Sequence, residues 1–423
     1  MKAIAYQVRP LGWLLCKAMG TFWPRCRLSR VAGLSLREVP VPALPTDEWV
    51  LLRTLMGGIC GTDLAVLAQK QPVDSILQAF SSMPMLLGHE NLACVEAVGP
   101  AVDGDWVGCR VCVEPTLCCR VRGIDPPCRQ CRAGRTGTCE NFGASGAGEA
   151  GLPAGTSIGY NSRTGGAFSE YFVAHSSQLV AVPQELSDEL AVLTDPAACA
   201  LHAVLRADLS GARQVAVLGA GVMGLATMAC LRATGYTGRI EAIEPARYLE
   251  PLARQLGADA FLSLPPDARE RIEAVAKATG GRVVRSRLGN AMLLDGYDVV
   301  FDCVGGEQSF NESLRWAAGG GQVVLVGTSH GGAVDLTGLW FKELRVFGAY
   351  GRGEENTAGR KVETYRLTHE LMRAGKLDLA PLLTHTFALS DYRLALAVAM
   401  NKPRHHAVKV ALDFRKTEHR NVQ

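Results

Sequence analysis

Two short stretches in the first hundred residues carry side chains suited to metal chemistry. Gly57-Gly-Ile-Cys60-Gly-Thr62-Asp63 offers a thiol, and Pro84-Met-Leu-Leu-Gly88-His89-Glu90 offers an imidazole and a carboxylate. Glycines flank the cysteine in one and the histidine in the other, which is how loops carry ligands on a β scaffold. A thiolate, an imidazole and one carboxylate are the donor types of a catalytic zinc that keeps a position open for substrate. Taken separately, the first stretch also fits an ordinary turn and the second a surface pair. Their weight comes from the nucleotide-site pattern further along the chain.

That second chemistry starts at residue 215. The apolar run 215–218 leads directly into Gly219-Ala-Gly221-Val222-Met223-Gly224, and apolar residues then recur at helical spacing to Ala233. Strand, glycine turn and helix start come in the order a dinucleotide site needs. Gly219 permits the sharp turn, Gly221 lets backbone approach a pyrophosphate, and Gly224 lets helix and strand lie close. The helix N-terminus supplies free N–H groups and the positive end of its dipole. An apolar strand over 239–243 ends in Glu244, twenty residues after Gly224. A carboxylate there accepts hydrogen bonds from ribose hydroxyls and repels a 2′-phosphate, favouring NAD; Arg247 lies close enough to pair such a phosphate, so NADP stays open.

The elements that must position these groups divide into two kinds. Short strands over 1–8, 34–41 and 49–55, with turn-rich connections, predict a β-rich first domain. After a capped helix start at Ser187, strands alternate with helices: 245–256 and 267–279 are helical, and 297–302 and 321–327 read as buried strands. The loops after those two strands, near Val304 and Thr328, lie where open α/β sheets bind ligands. A helix over 391–400 and a closing strand over 407–412 should return to the first domain.

At 423 residues the chain is comfortable for two domains. A hydrophobic content of 48% with 20% charged residues predicts a globular protein, and a net charge of +3 with no basic block gives no reason to expect nucleic acid. No apolar run approaches the roughly 18 residues of a membrane span. The N-terminus starts as a strand and lacks a signal-peptide pattern, so a cytoplasmic location is expected. Eight of the fourteen cysteines lie between Cys94 and Cys139, which points to metal and not to a disulfide framework. Residues 9–31 show no clear period and suggest no function, and 143–166, rich in Gly, Ala and Ser, read as a flexible surface loop.

Cys60-Gly-Thr-Asp63 followed by Gly88-His-Glu90 resembles the zinc-dependent medium-chain dehydrogenase/reductase family, the alcohol, sorbitol, threonine and glucose dehydrogenases. Gly166-Ala-Phe-Ser-Glu-Tyr-Phe-Val173 resembles a further family strand. The resemblance covers nearly the whole chain except 9–31 and 143–166. It implies a GroES-like β-rich catalytic domain over 1–200, a Rossmann doubly wound parallel sheet over 201–350, and a C-terminal part, 351–423, that returns to the catalytic domain. It implies zinc and NAD, with NADP open, and hydride transfer to or from a secondary alcohol, polyol or sugar. Cys60 and His89 become direct zinc ligands, with Glu90 alternating or nearby and Asp63 holding the other ring nitrogen of His89.

Asp195-Pro-Ala-Ala-Cys-Ala-Leu-His-Ala203 resembles a family segment whose first residue is usually Glu, and this implies Asp195 as a third ligand. Thr62 stands where the family passes the alcohol proton, whereas Ala65 replaces the histidine that many relatives use to carry it onward. Cys128-x2-Cys131-x7-Cys139 gives three of the four thiols of the family's structural-zinc lobe. The first position falls on Asp125, and Cys118 and Cys119 are substitutes if the chain folds back; a second zinc and an empty lobe both stay open. An edge strand over 342–350 implies a homodimer or homotetramer. The competing expectations are a zinc-independent quinone or alkene reductase of the same fold, and a non-catalytic dinucleotide-binding protein with a decayed site.

Overall fold

Alternating burial along the ten-residue strand Trp49–Gly58 makes it the spine of the first unit. Trp49, Val50 and Leu52 are fully buried against Val111, Phe172 and Val173. In the computed structural model, which describes residues 1–416 apart from 21, 71–73, 329–330 and 358, contacts divide the chain into two units. The first comprises Met1–Asp195, Arg352–His369 and Leu383–Gln423; the second comprises Pro196–Gly351 and Glu370–Leu382.

The first unit holds a seven-stranded sheet. Its strands run Leu383–Phe387, Lys409–Asp413, Trp49–Gly58, Glu90–Val98, Arg110–Val113, Leu179–Ala181, with Tyr171–His175 pairing the Trp49–Gly58 strand. The closing strand Lys409–Asp413 lies antiparallel to the end of that spine, placing Ala411 opposite Gly58. Gly58 in turn faces Glu90 across the other edge. Residues from three remote parts of the sequence thus meet where this strand ends and Cys60 begins a helix.

The second unit is a six-stranded sheet in the order Ala260–Leu262, Arg239–Ile243, Gln214–Leu218, Tyr297–Asp302, Ala317–Leu325, Arg345–Gly348. Every pairing in it is parallel. Val215, Val217, Val299 and Val300 are fully buried, as expected of strands covered on both faces. The chain reverses its direction of travel across the sheet beside Gln214–Leu218, a topological switch point of the doubly wound kind.

Two sequence expectations fail here. Residues 143–166 are not a loose surface loop: Leu152, Ile158, Asn161 and Thr164 are fully buried. The cause is Arg122, a fully buried guanidinium whose N–H groups reach the carbonyls of Leu117, Ala144, Leu152, Pro153 and Gly155. Residues 9–31 do have a period: Pro10–Met19 is an α-helix with proline in its first turn, followed by a 3-10 turn at Pro24–Leu28.

Candidate metal centres and dinucleotide turn

Cys60 caps the short helix Gly61–Leu67, and Asp63, three residues on, accepts the Cys60 backbone N–H at 3.1 Å. This reciprocal cap fixes the thiol at the helix entrance. Gly88 sits at φ +92°, and a Cβ there would meet the Phe168 ring at 2.5 Å, so glycine is required to deliver His89. Glu90 opens the next strand. The donor atoms of Cys60, His89 and Glu90 all lie within 4.8 Å of one another, as the sequence anticipates.

Around them the structure adds two residues. Lys409, from the closing strand, forms a buried ion pair with Glu90; each side chain is 2% exposed. Gly58 makes room for it, since a Cβ would collide with the Glu90 carboxylate and meet Lys409 Cε at 3.1 Å. Tyr160 donates its hydroxyl to Asp63 Oδ1 at 3.1 Å, and its ring centroid is 5.6 Å from that of His89. Asp63 Oδ1 also faces His89 Nδ1 at 3.7 Å. Burial opposes a charge on the His89 ring, but Cys60 and Asp63 outweigh it and hold its pKa well above the usual value. Burial likewise works against the Lys409 ammonium, and Glu90 and Cys60 raise its pKa in spite of that.

The fit to a metal rests on this chemistry. A thiol, an imidazole and a carboxylate converge, their surroundings favour positive charge, and the Thr62 hydroxyl beside them is buried without a hydrogen-bond partner among the described residues. Asp195 is a correction. Its carboxylate is not in the group; it accepts the Tyr365 hydroxyl at 2.6 Å and pairs with Arg352 at 2.9 Å. Arg352 also donates to Glu114 at 2.9 Å, so a buried polar network holds Asp195.

The cysteine lobe gathers four thiols, Cys119, Cys128, Cys131 and Cys139, with all sulfurs within 4.8 Å. Asp125 is again a correction: it is exposed and stands outside the group. Cys119, at the start of the turn of helix Cys119–Arg122, takes the fourth corner because the chain folds back over Pro126 and Pro127. The sulfurs accept N–H donors from several sides: Cys128 N to Cys119 at 3.3 Å, Asn141 Nδ2 to Cys119 at 3.1 Å, Asn141 N to Cys139 at 3.4 Å and Glu140 N to Cys128 at 3.5 Å. Burial raises the Cys128 pKa, but the N–H groups of Cys131 and Glu140 outweigh it and bring it down to about 7. Four thiols surrounded by donors fit a tetrahedral zinc.

The dinucleotide turn has the predicted form. Gly219 adopts φ +84°, where a Cβ would meet Val304 Cγ2 at 2.8 Å. A Cβ on Gly224 would lie 1.8 Å from the Gly219 carbonyl oxygen, so helix Val222–Ala233 can approach its strand only through glycine. Gly221 is exposed with open space beside it and is the N-cap of the helix, whose first amides, those of Val222 and Met223, lie in the turn that has no intrahelical acceptor. Glu244 accepts from Ala220 N and Ala246 N, both at 2.9 Å, which ties the ribose-side acid to the glycine turn. Arg247 is exposed. Asp302 accepts the N–H groups of Val304 and Gly305 at 3.0 Å, while its own carbonyl accepts from Gly327, fixing both loops at the strand ends. Thr328 lies exposed at the second.

The sequence matches the alcohol dehydrogenase GroES-like domain over residues 46–184 and the zinc-binding dehydrogenase domain over 222–364. It is 30% identical to L-threonine 3-dehydrogenase of Edwardsiella ictaluri over 389 residues, which is 92% of this chain and 98% of the relative. Similar solved structures include a zinc-binding dehydrogenase from Sinorhizobium meliloti bound to NADP, with 27% identity, TM-score 0.68 and coverage of 90% and 96% of the two chains. Another is 2R,3R-butanediol dehydrogenase from Bacillus subtilis, whose 23% identity and TM-score of 0.70 over 97% and 99% speak to the fold. Two domains matched in order, around a thiol–imidazole–carboxylate group and a glycine turn, leave one assignment: the chain belongs to the zinc-dependent medium-chain dehydrogenase/reductase family, as an oxidoreductase of the alcohol dehydrogenase type.

Proposed function

We propose that the protein moves a hydride between NAD(P) and a secondary alcohol with polar neighbours, a hydroxy amino acid, polyol or sugar, or the matching carbonyl. The observation that carries this is the convergence of Cys60, His89 and Glu90. Zinc, when bound, supplies a Lewis acid for the substrate oxygen, and the nicotinamide supplies the hydride acceptor or donor. Cys60 and His89 hold the metal, and Glu90, paired to Lys409, serves as the exchangeable or nearby carboxylate. Asp63 orients His89 through the nitrogen that faces it. The Thr62 hydroxyl, buried and without a hydrogen-bond partner among the described residues, would take up the alcohol proton, and Ala65 stands in place of the relay histidine. Cys119, Cys128, Cys131 and Cys139 hold a second, structural zinc.

Glu244 selects NAD over NADP by occupying the ribose side of the turn. The edge strand Arg345–Gly348 pairs with its copy in a homodimer or homotetramer. Among the described residues no helix is long and apolar enough to cross a membrane; the many free cysteines support a cytoplasmic location. The test is zinc content per chain in wild type and His89→Ala, together with NAD+ reduction on L-threonine, 2,3-butanediol and a polyol series. Two zincs falling to one, with loss of activity, is the expected result. A wild type devoid of zinc after metal-replete expression, or an unchanged zinc content in His89→Ala, overturns the reading.

A further inference from the structure

Helix Pro10–Met19 turns one face to the protein and leaves the other bare. Cys16 is 1% exposed and packs with Cys26 and Ala32. Lys17 Nζ donates to the Gln69 carbonyl at 2.7 Å, and Gln69 Nε2 donates to the Trp13 carbonyl at 3.0 Å, so the helix is fastened along this side. Leu11, Leu14, Leu15 and Met19 are 85%, 58%, 50% and 41% exposed. Their spacing, i, i+3, i+4 and i+8, is that of one helical stripe, ordinarily the stripe a helix buries. Phe22 and Trp23 continue it in sequence at 91% and 51% exposure. The same segment carries Arg9, Lys17, Arg25, Arg27 and Arg30 and no acidic residue, and all but Arg27 are exposed.

We propose that this face is a peripheral anchor that lies on an anionic lipid surface. Isolated exposed apolar residues need no explanation, but a stripe of this kind marks an interaction site. The charge decides the partner. A second copy of the chain would set one acid-free basic segment against another, and like charges at an interface oppose association. An anionic bilayer takes both features, with leucines and Phe22 entering the headgroup boundary, Trp23 at the headgroup level and the exposed Arg9, Arg25 and Arg30 on the phosphates. The helix lies on the membrane and does not cross it: ten residues span about 15 Å, half the hydrocarbon thickness. The cytoplasmic leaflet carries the required negative potential.

The test is co-sedimentation of the purified full chain with phosphatidylcholine vesicles and with vesicles containing about a third phosphatidylserine. Wild type is expected to pellet with the anionic vesicles alone and to release at high salt. The double variant Leu14→Glu/Leu15→Glu, altered only at exposed positions, is expected to bind at least about tenfold more weakly with unchanged circular dichroism, zinc content and dehydrogenase activity. Arg25→Gln/Arg30→Gln keeps every apolar residue and is expected to lose roughly fivefold per charge removed. Failure of wild type to pellet, or full binding by the Leu14/Leu15 variant, overturns the proposal. So does a lipid-free oligomer that the same double variant dissociates, since a second copy would then occupy the stripe.

Discussion

Lys409 and Glu90 form an ion pair with both side chains 2% exposed, beside the thiol of Cys60. Removing one partner of such a pair leaves a buried charge uncompensated, at a cost of about 3–5 kcal/mol. Lys409→Met is therefore expected to destabilise the metal-free protein by about that amount, and Glu90→Gln added to it should restore most of the loss. Chemical unfolding of the two variants and wild type, with zinc removed, checks this; additive losses would mean the pair is not coupled. Metal should restore part of the stability of Lys409→Met, because a cation takes over from the ammonium.

The cysteine lobe separates two ligand assignments cleanly. Cys119→Ser is expected to lose the second zinc and to lower the melting temperature, because three thiols and a hydroxyl make a poor tetrahedral site. Asp125→Ala, altered at an exposed position, should keep both metals and wild-type stability. Elemental analysis of the two variants reads the difference directly.

Thr62→Val removes the unpartnered hydroxyl and keeps the shape of the side chain. Loss of a positioned proton acceptor is expected to reduce kcat on the order of 10²-fold with little change in KM. A kcat near wild type would take Thr62 off the proton path.

Glu244→Ala is expected to raise the KM for NAD+ roughly tenfold and to narrow the preference over NADP+. Initial rates with the two coenzymes measure it, and an unchanged ratio would show that the acid serves only the amides of Ala220 and Ala246.

His369 provides a pH test outside the metal sites. Its Nδ1 lies 3.2 Å from the Ala181 carbonyl, which can only accept, and its Nε2 lies 2.9 Å from the Thr194 hydroxyl. Burial pushes its pKa down to about 4. The unfolded ring titrates near 6.5, so the unfolded state binds the proton first as pH falls. The stabilising contribution is complete above about pH 6.5, is lost progressively towards pH 4, and amounts to about 3 kcal/mol. Unfolding free energies of wild type and His369→Gln across that range should converge as acid is added; parallel curves would contradict the buried neutral ring.

The sequence reveals what is local. Gly219 and Gly224 are legible because a positive φ and a backbone contact admit little else, and Cys60, His89 and Glu90 because each is fixed by its own loop. Misassignments arise where a partner is remote in sequence. Asp195 looks like a ligand until Arg352 and Tyr365 are seen to hold it. Asp125 occupies the right spacing, yet Cys119 joins the other three thiols by a fold-back that spacing does not encode. Lys409 and Tyr160 escape a reading of the sequence for the same reason: nothing in a closing strand or a glycine-rich loop announces that it ends beside Glu90 or Asp63. The stripe of residues 11–19 is hidden by the irregular turn after it.

Arg122 explains why 143–166, with neither helix nor long strand, still has one defined path. Among the described residues its guanidinium donates hydrogen bonds to main-chain oxygens, and a carbonyl is the same whichever residue carries it. Only the exposed side chains of that segment are therefore unconstrained by the route, because Leu152, Ile158, Asn161 and Thr164 are buried and Tyr160 reaches Asp63. Lysine could not substitute, having one compact ammonium where a planar fork reaches several acceptors. Variation should be broad at the segment's exposed positions and narrow at residue 122.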